Sequence, residues 1–251
     1  YQGVFFDGQG HPFFNPMMNY PQGWNLSTTD TTLANALPGA LVSAVAGPIA
    51  GYNIAILLTF VLSGWFMYGW VRSLTGSDAA GLLSGTIFAF LPYRMAHFLI
   101  GHLNLSGTQW ILLYFWGLYG LLRGGSDRRW LPPLMAAAGL ALTAFTSMYY
   151  LYMTLLISVV FVAAYFLFAG LQVLRQRTFW LQAVIALVLA APFVFVALRP
   201  FIQLSAQGTI ADRSIEYASL YSASPTDYFL PSTDHFLFGR WVGEHFNRDL
   251  W

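Results

Sequence analysis

"LPPLMAAAGLALTAFTSMYYLYMTLLISVVFVAAYFLFAGL", residues 131–171, runs on without one charged side chain. As a single helix it would be about 60 Å long, twice the hydrocarbon thickness of a bilayer. The polar and aromatic string "FTSMYY" in its middle is where it can break. Splitting it there gives two apolar segments, 131–146 and 149–171, joined by a short turn. That split fixes the number of spans in the whole chain, and with it which loops share a side.

The rest of the chain follows the same pattern. Of its 251 residues, 57% are hydrophobic and 8% charged, where a soluble domain carries about 25% charged residues. Charged residues and histidines are missing from 31–71, 79–93, 103–122, 130–174 and 179–198. The reading is an all-α, polytopic helical membrane protein with about six spans, some short or kinked: 50–72, 79–91, 106–123, 131–146, 149–171 and 179–198. Ser77 or Asp78 is placed to cap the second span. Pro92 breaks or kinks the chain after it, because proline lacks a helical donor. "YRMAHFLIGH" then continues as an interfacial helix, and Pro192 is placed to kink the sixth span.

Charge orients this scheme. Arg72, Arg123, Arg128, Arg129, Arg175 and Arg177 fall on one side, and the short segments opposite hold only Arg94. By the positive-inside rule the arginine-rich loops are cytoplasmic. Residues 1–49, an outer loop with an interfacial stretch at 33–47, therefore face outward, as do 92–105, the 146–149 turn and the tail 199–251. The expected location is a bacterial cytoplasmic membrane. A net charge of +1 gives no sign of nucleic acid as a partner, and the absence of cysteine excludes disulfides and thiolate metal sites. The chain opens at Tyr1 without an initiator methionine, which reads as part of a longer protein.

The outward polar residues are few. Arg94 and His97 are three apart and share a helix face. An arginine fork at the outer mouth of a kinked helix suits a phosphate or diphosphate, although it equally suits snorkelling to lipid headgroups. His102 lies five residues beyond His97, so a regular helix does not aim both at one ligand. No metal site or cofactor is expected, since a metal would want further carboxylates or histidines. Axial ligation of a haem or chlorophyll by one histidine stays open. Asp7 reads as a turn residue, and Asp30 as either a cap or an outward general base. Arg213 and Glu216, also three apart, could hold a sugar and a phosphate or form a solvated network. "SIEYASLYS" reads as a short amphipathic helix capped by Ser214.

"HPFFNPMMNYPQGWNL", "AGYNIAILLTFVLSGWFMYGWVRSLTGS" and "GTIFAFLPYRMAHFLIGHLNLSGTQWILLYFWGLYGLLR" resemble, in that order, the GT-C superfamily of integral membrane glycosyltransferases. The "PYRMAH…GHLN…TQW" string is the distinctive part, and "RSIEYASLYSASPTDYFLPS" resembles a later outer segment of such proteins. The resemblance implies transfer of a sugar from a polyprenyl phosphate at the outer face. It makes Asp30 the candidate catalytic carboxylate, and Arg94 and His97 the phosphate-side residues. Gln109 would line the cavity, and Arg213 and Glu216 would close it. It also implies a further span, with the first acidic motif, before "YQGVFFDGQG". Leu91 stands where a small residue is usual. Membrane lipids and a polyprenyl-phosphate-linked sugar are the expected partners. The alternative is a non-catalytic subunit of a larger membrane complex, energy-transducing or pigment-binding. A transporter ranks last, because no ionisable residue lies at mid-membrane depth.

Overall fold

In the computed structural model of the protein the described residues are 14–16, 19–25, 30, 32–124, 130–207, 214–216, 222, 229–231, 233 and 235–246. They divide into two compact units, 1–207 and 208–251. In the first, a two-residue antiparallel pairing, β1 (Phe14–Asn15) on β2 (Trp24–Asn25), precedes the helices. These are α1 (Leu33–Ala46), α2 (Pro48–Thr75), α3 (Asp78–Ala89), α4 (Pro92–Leu99), α5 (Leu103–Ser106), α6 (Gln109–Arg123), α7 (Leu131–Ala144), α8 (Met148–Ala169) and α9 (Arg177–Ala206). In the second unit, α10 spans Gly239–His245.

The helix boundaries fall where local chemistry dictates. Pro48 opens α2 at the one turn where its missing donor is not needed. Gly76, with φ 70°, closes it by bonding back to the Arg72 carbonyl. The Ser77 hydroxyl accepts from Ala80 N–H and starts α3. Pro92 separates α3 from α4. The run 131–171 is broken between Ala144 and Met148, and the Ser147 hydroxyl caps α8 by accepting from Tyr150 N–H. Pro192 and Pro200 both lie inside the continuous α9, which reaches Ala206.

Three helices, α2, α8 and α9, are long and apolar enough to cross a membrane. α3, α6 and α7 have 12, 15 and 14 residues. At 1.5 Å per residue they reach roughly 18 to 23 Å, short of the hydrocarbon thickness. Helix length thus supports three spans outright rather than six.

The packing is the reverse of a water-soluble core. Ten of the eighteen buried hydrophobic residues are alanine, whereas Leu155, Leu156, Val159, Val160, Leu167 and Phe168 on α8 are exposed. Small residues inside and large apolar ones outside suit helices that meet closely and show their bulk to lipid. Glycines set the contacts. A Cβ on Gly39 of α1 would lie 2.6 Å from the Gly51 carbonyl oxygen of α2, and one on Gly85 of α3 would lie 2.6 Å from that of Gly64. The stretch 33–47 packs along α2, where Gly39 and Gly51 let the two backbones touch.

Candidate functional site

The string "PYRMAH…GHLN…TQW" folds as α4, α5 and the start of α6, and it forms the centre of a polar cluster. Its first link is made by the chain break. Ending α3 at Ala89 leaves that residue's carbonyl without a helical donor. Arg94 Nε donates to it at 3.0 Å. The guanidinium also donates to Ser63 Oγ at 2.8 Å, to Thr108 Oγ1 and, at 3.5 Å, to Thr59 Oγ1. The Phe60 ring lies over it, 4.7 Å from the guanidinium carbon. One arginine therefore ties α2, the end of α3 and the entry to α6 together.

Arg94 is 1% exposed, so it lies inside the helix packing and not at the outer surface where the sequence put it. The reason is that the Pro92 break leaves an orphan carbonyl at Ala89, which Arg94, the one buried residue of α4, reaches. Among the described residues it has no carboxylate partner. Burial lowers its pKa to about 10, with Tyr150 acting in the opposite sense. At neutral pH it is a desolvated cation.

Asp30 sits at the same end. Its Oδ2 accepts from Asn104 Nδ2 at 2.8 Å and from Ser147 Oγ at 2.7 Å, and its Oδ1 accepts from Met148 N–H at 2.7 Å. A carboxylate at the first turn of α8 is favoured by the helix dipole. Asp30 thus serves the first turn of a helix that begins 118 residues downstream. A carboxylate has about four lone-pair sites, so three donors leave one, on Oδ1. Tyr150 bridges the two charges: its hydroxyl donates to the Leu105 carbonyl, meets Tyr93 Oη at 3.2 Å and lies within electrostatic reach of both Arg94 and Asp30.

Gln109 is buried, and its Nε2 donates to Asn35 Oδ1 at 2.8 Å, next to Trp110 Nε1 at 3.0 Å. Asn35 in turn donates to the Leu103 carbonyl. Gln109 thus locks α1 to α6, and its amide is committed inside the packing. Its Oε1 and the Ser106 hydroxyl are buried without a partner.

His97 and His102 meet. The turn at Gly101, φ 76°, reverses the chain, and His102 N–H donates to the His97 carbonyl at 2.9 Å. The two Nδ1 atoms are 3.1 Å apart. The expectation that the pair point apart assumed an unbroken helix, and the helix ends at Leu99. His97 is half-buried. Its pKa is lowered, first by burial and then by His102.

Glu216 is exposed in the second unit. Arg213 and Asp7 lie outside the described residues, as does most of "SIEYASLYS". Asn35, Ser63, Thr108 and Ser147 belong to the cluster and were not singled out from sequence as site residues. Thr108 lies within the distinctive string itself, which is the one available signal.

Beside the cluster, a groove of about 660 Å³ runs between α2 and α3. It begins near Arg72 and Tyr68, passes Trp65 and Gly64, and ends at Phe60, Ala89 and Phe90. Phe60 and Ala89 are also among the residues in contact with the Arg94 guanidinium.

This chain belongs to the DUF6311 family. The match covers residues 5–246, and the family is described as a domain of unknown function. No curated protein and no solved structure matches the chain.

Proposed function

We propose that the protein transfers a sugar from a polyprenyl phosphate at the outer face of a bacterial cytoplasmic membrane, as a GT-C-type enzyme. One observation carries the reading: the apolar groove ends against Phe60 and Ala89, behind which lies a buried cation with no carboxylate partner among the described residues. A buried, unpaired charge is expensive. An isoprenoid tail in the groove would bring its phosphate to that end, where a swing of Phe60 would uncover the Arg94 fork. Asp30, with one lone pair of Oδ1 unused, would take the proton of the acceptor hydroxyl or orient it.

The test uses the complete protein in liposomes with a polyprenyl-phosphate-linked sugar. Asp30→Asn is expected to lower transfer about 100-fold, the low end of what a general base contributes. Its unfolding temperature should fall only as far as a lost helix cap requires, about 1 kcal/mol. Unchanged transfer by Asp30→Asn would remove Asp30 from the chemistry.

A second reading has its own support. Nearly every polar group in the cluster is bonded to another protein group, as a purely structural junction would require. That is the non-catalytic subunit of a larger complex. It expects Asp30→Asn to change stability alone, and the complete protein to show no transfer.

The six-span arrangement goes with the first reading. It places the α4–α5 turn outside and the α6–α7 loop inside. Cysteine at His102 is then expected to react with an impermeant maleimide in intact cells, and cysteine at Arg123 only after permeabilisation. Equal labelling at both would overturn the orientation.

A further inference from the structure

We propose that His97 and His102 bind one divalent transition-metal ion through their Nδ1 nitrogens. Two imidazole nitrogens on a single tetrahedral ion, each bonded at 2.0–2.1 Å, lie roughly 3.3 Å apart. The observed separation is 3.1 Å, close to that span, and a tilt of each ring by roughly 35° off the Nδ1–Nδ1 line would aim both lone pairs at such an ion.

The pair is built before any ion arrives. His102 N–H is bonded to the His97 carbonyl, and Tyr52 Oη donates to the Gly101 carbonyl at 3.1 Å, pinning the turn to α2. The Tyr93 ring stands edge-on to His97, with centroids 4.4 Å apart. The imidazoles are 23° from parallel with centroids 5.4 Å apart. That distance exceeds the N–N separation by about two ring radii, so the Nδ1 atoms face each other end on. Without metal, one Nδ1 carries a proton and the other accepts it.

Among the described residues neither ring makes any other hydrogen bond, and both Nε2 atoms are open. An ion would replace the shared proton, which moves to Nε2, so that each neutral imidazole keeps one proton and gives one lone pair. His102 is exposed and free to turn its lone pair toward the ion.

Among the described residues no third histidine or acid completes a cluster. Counting the described residues, the site has two protein ligands and open positions for water or an oxygen ligand, the arrangement of a Lewis-acid centre more than of a structural clamp. Imidazole ligation favours Cu²⁺ over Zn²⁺. The inference is independent of the glycosyl-transfer reading and has a readout of its own.

The complete protein, purified in detergent without a polyhistidine tag, is titrated with Cu²⁺ and with Zn²⁺ by calorimetry, and the copper form is examined by electron paramagnetic resonance. One bound Cu²⁺ with two equivalent nitrogen ligands is expected. His102→Gln, at an exposed position that preserves the fold, should leave one nitrogen and weaken binding by at least about tenfold, as even outer-shell changes can. The double variant with His97→Gln should leave only the background from His11, His235 and His245. No binding to the wild type above buffer, or the same stoichiometry and affinity in the double variant, would overturn the site.

Discussion

Arg94→Ala is expected to destabilise the helix packing around it by about 3–5 kcal/mol, because it orphans several buried acceptors at about 1–3 kcal/mol each. The side chain serves the Ala89 carbonyl, Ser63, Thr108 and Thr59 at once. Alanine leaves that carbonyl, the last of α3, without a donor in a site water does not reach. It also opens a void under Phe60. Two further substitutions separate the causes. Arg94→Lys keeps the charge but replaces a planar fork with a point donor, which cannot reach acceptors on three elements. It should recover less than half of the loss. Arg94→Met fills the space without charge and removes the desolvation penalty, yet it orphans the same acceptors. It should fall between alanine and lysine. Thermal unfolding in detergent reads all three. If none shifts the transition, Arg94 does not hold α2, α3 and α6 together, and its burial needs another explanation.

The same residue shows how far the sequence could be read. Pro92 marks a break by its own chemistry, and so does Ser77 with its hydroxyl two residues past Thr75. "FTSMYY" is where the long apolar run divides, at Phe145–Ser147. These are local facts, decided by which donors and acceptors lie within four residues.

What could not be read depends on partners far along the chain. Arg94 looks like a surface cation until Ser63 and Thr59, more than thirty residues earlier, are known to lie beside it. Asp30 caps a helix that begins at Met148. Asn35 and Gln109 are 74 residues apart. His97 and His102 were separable only on the assumption of helical spacing, and one glycine with φ 76° removes it. The glycosyl-transfer reading inherits the same limit. Its residues were chosen as outward groups, and of these Arg94 and Gln109 are buried while His97 is half-buried.

Gly139→Val is expected to be the other severe substitution, because α6 and α7 touch backbone to backbone. A Cβ on Gly139 would stand 2.3 Å from Tyr114 N, 2.6 Å from Tyr114 Cα and 2.8 Å from the Trp110 carbonyl oxygen. The relation is mutual: a Cβ on Gly117 would stand 2.3 Å from Ala136 N and 2.8 Å from the Pro132 carbonyl oxygen. A side chain in such a place can rotate away, but helical backbone cannot, so the two helices must separate. Overpacking of a core costs about 1–3 kcal/mol, and with no rotamer to yield, the loss should lie at or above the top of that range. The damage would not stay local. Trp110 and Gln109 hold Asn35 from the same end of α6, so moving α6 also loosens α1. Gly64→Ala is the control, since its Cβ would meet the Gly85 carbonyl oxygen at 3.4 Å and the Ala89 Cβ at 3.5 Å, close to ordinary contact. Its unfolding temperature should stay near that of the wild type, while Gly139→Val should unfold many degrees lower and lose the fixed environment of Trp110 in its fluorescence. Equal unfolding temperatures for the two variants would mean that α6 and α7 are free to slide past one another, and that the close approach at Gly117 and Gly139 is not what fixes the polar cluster above it.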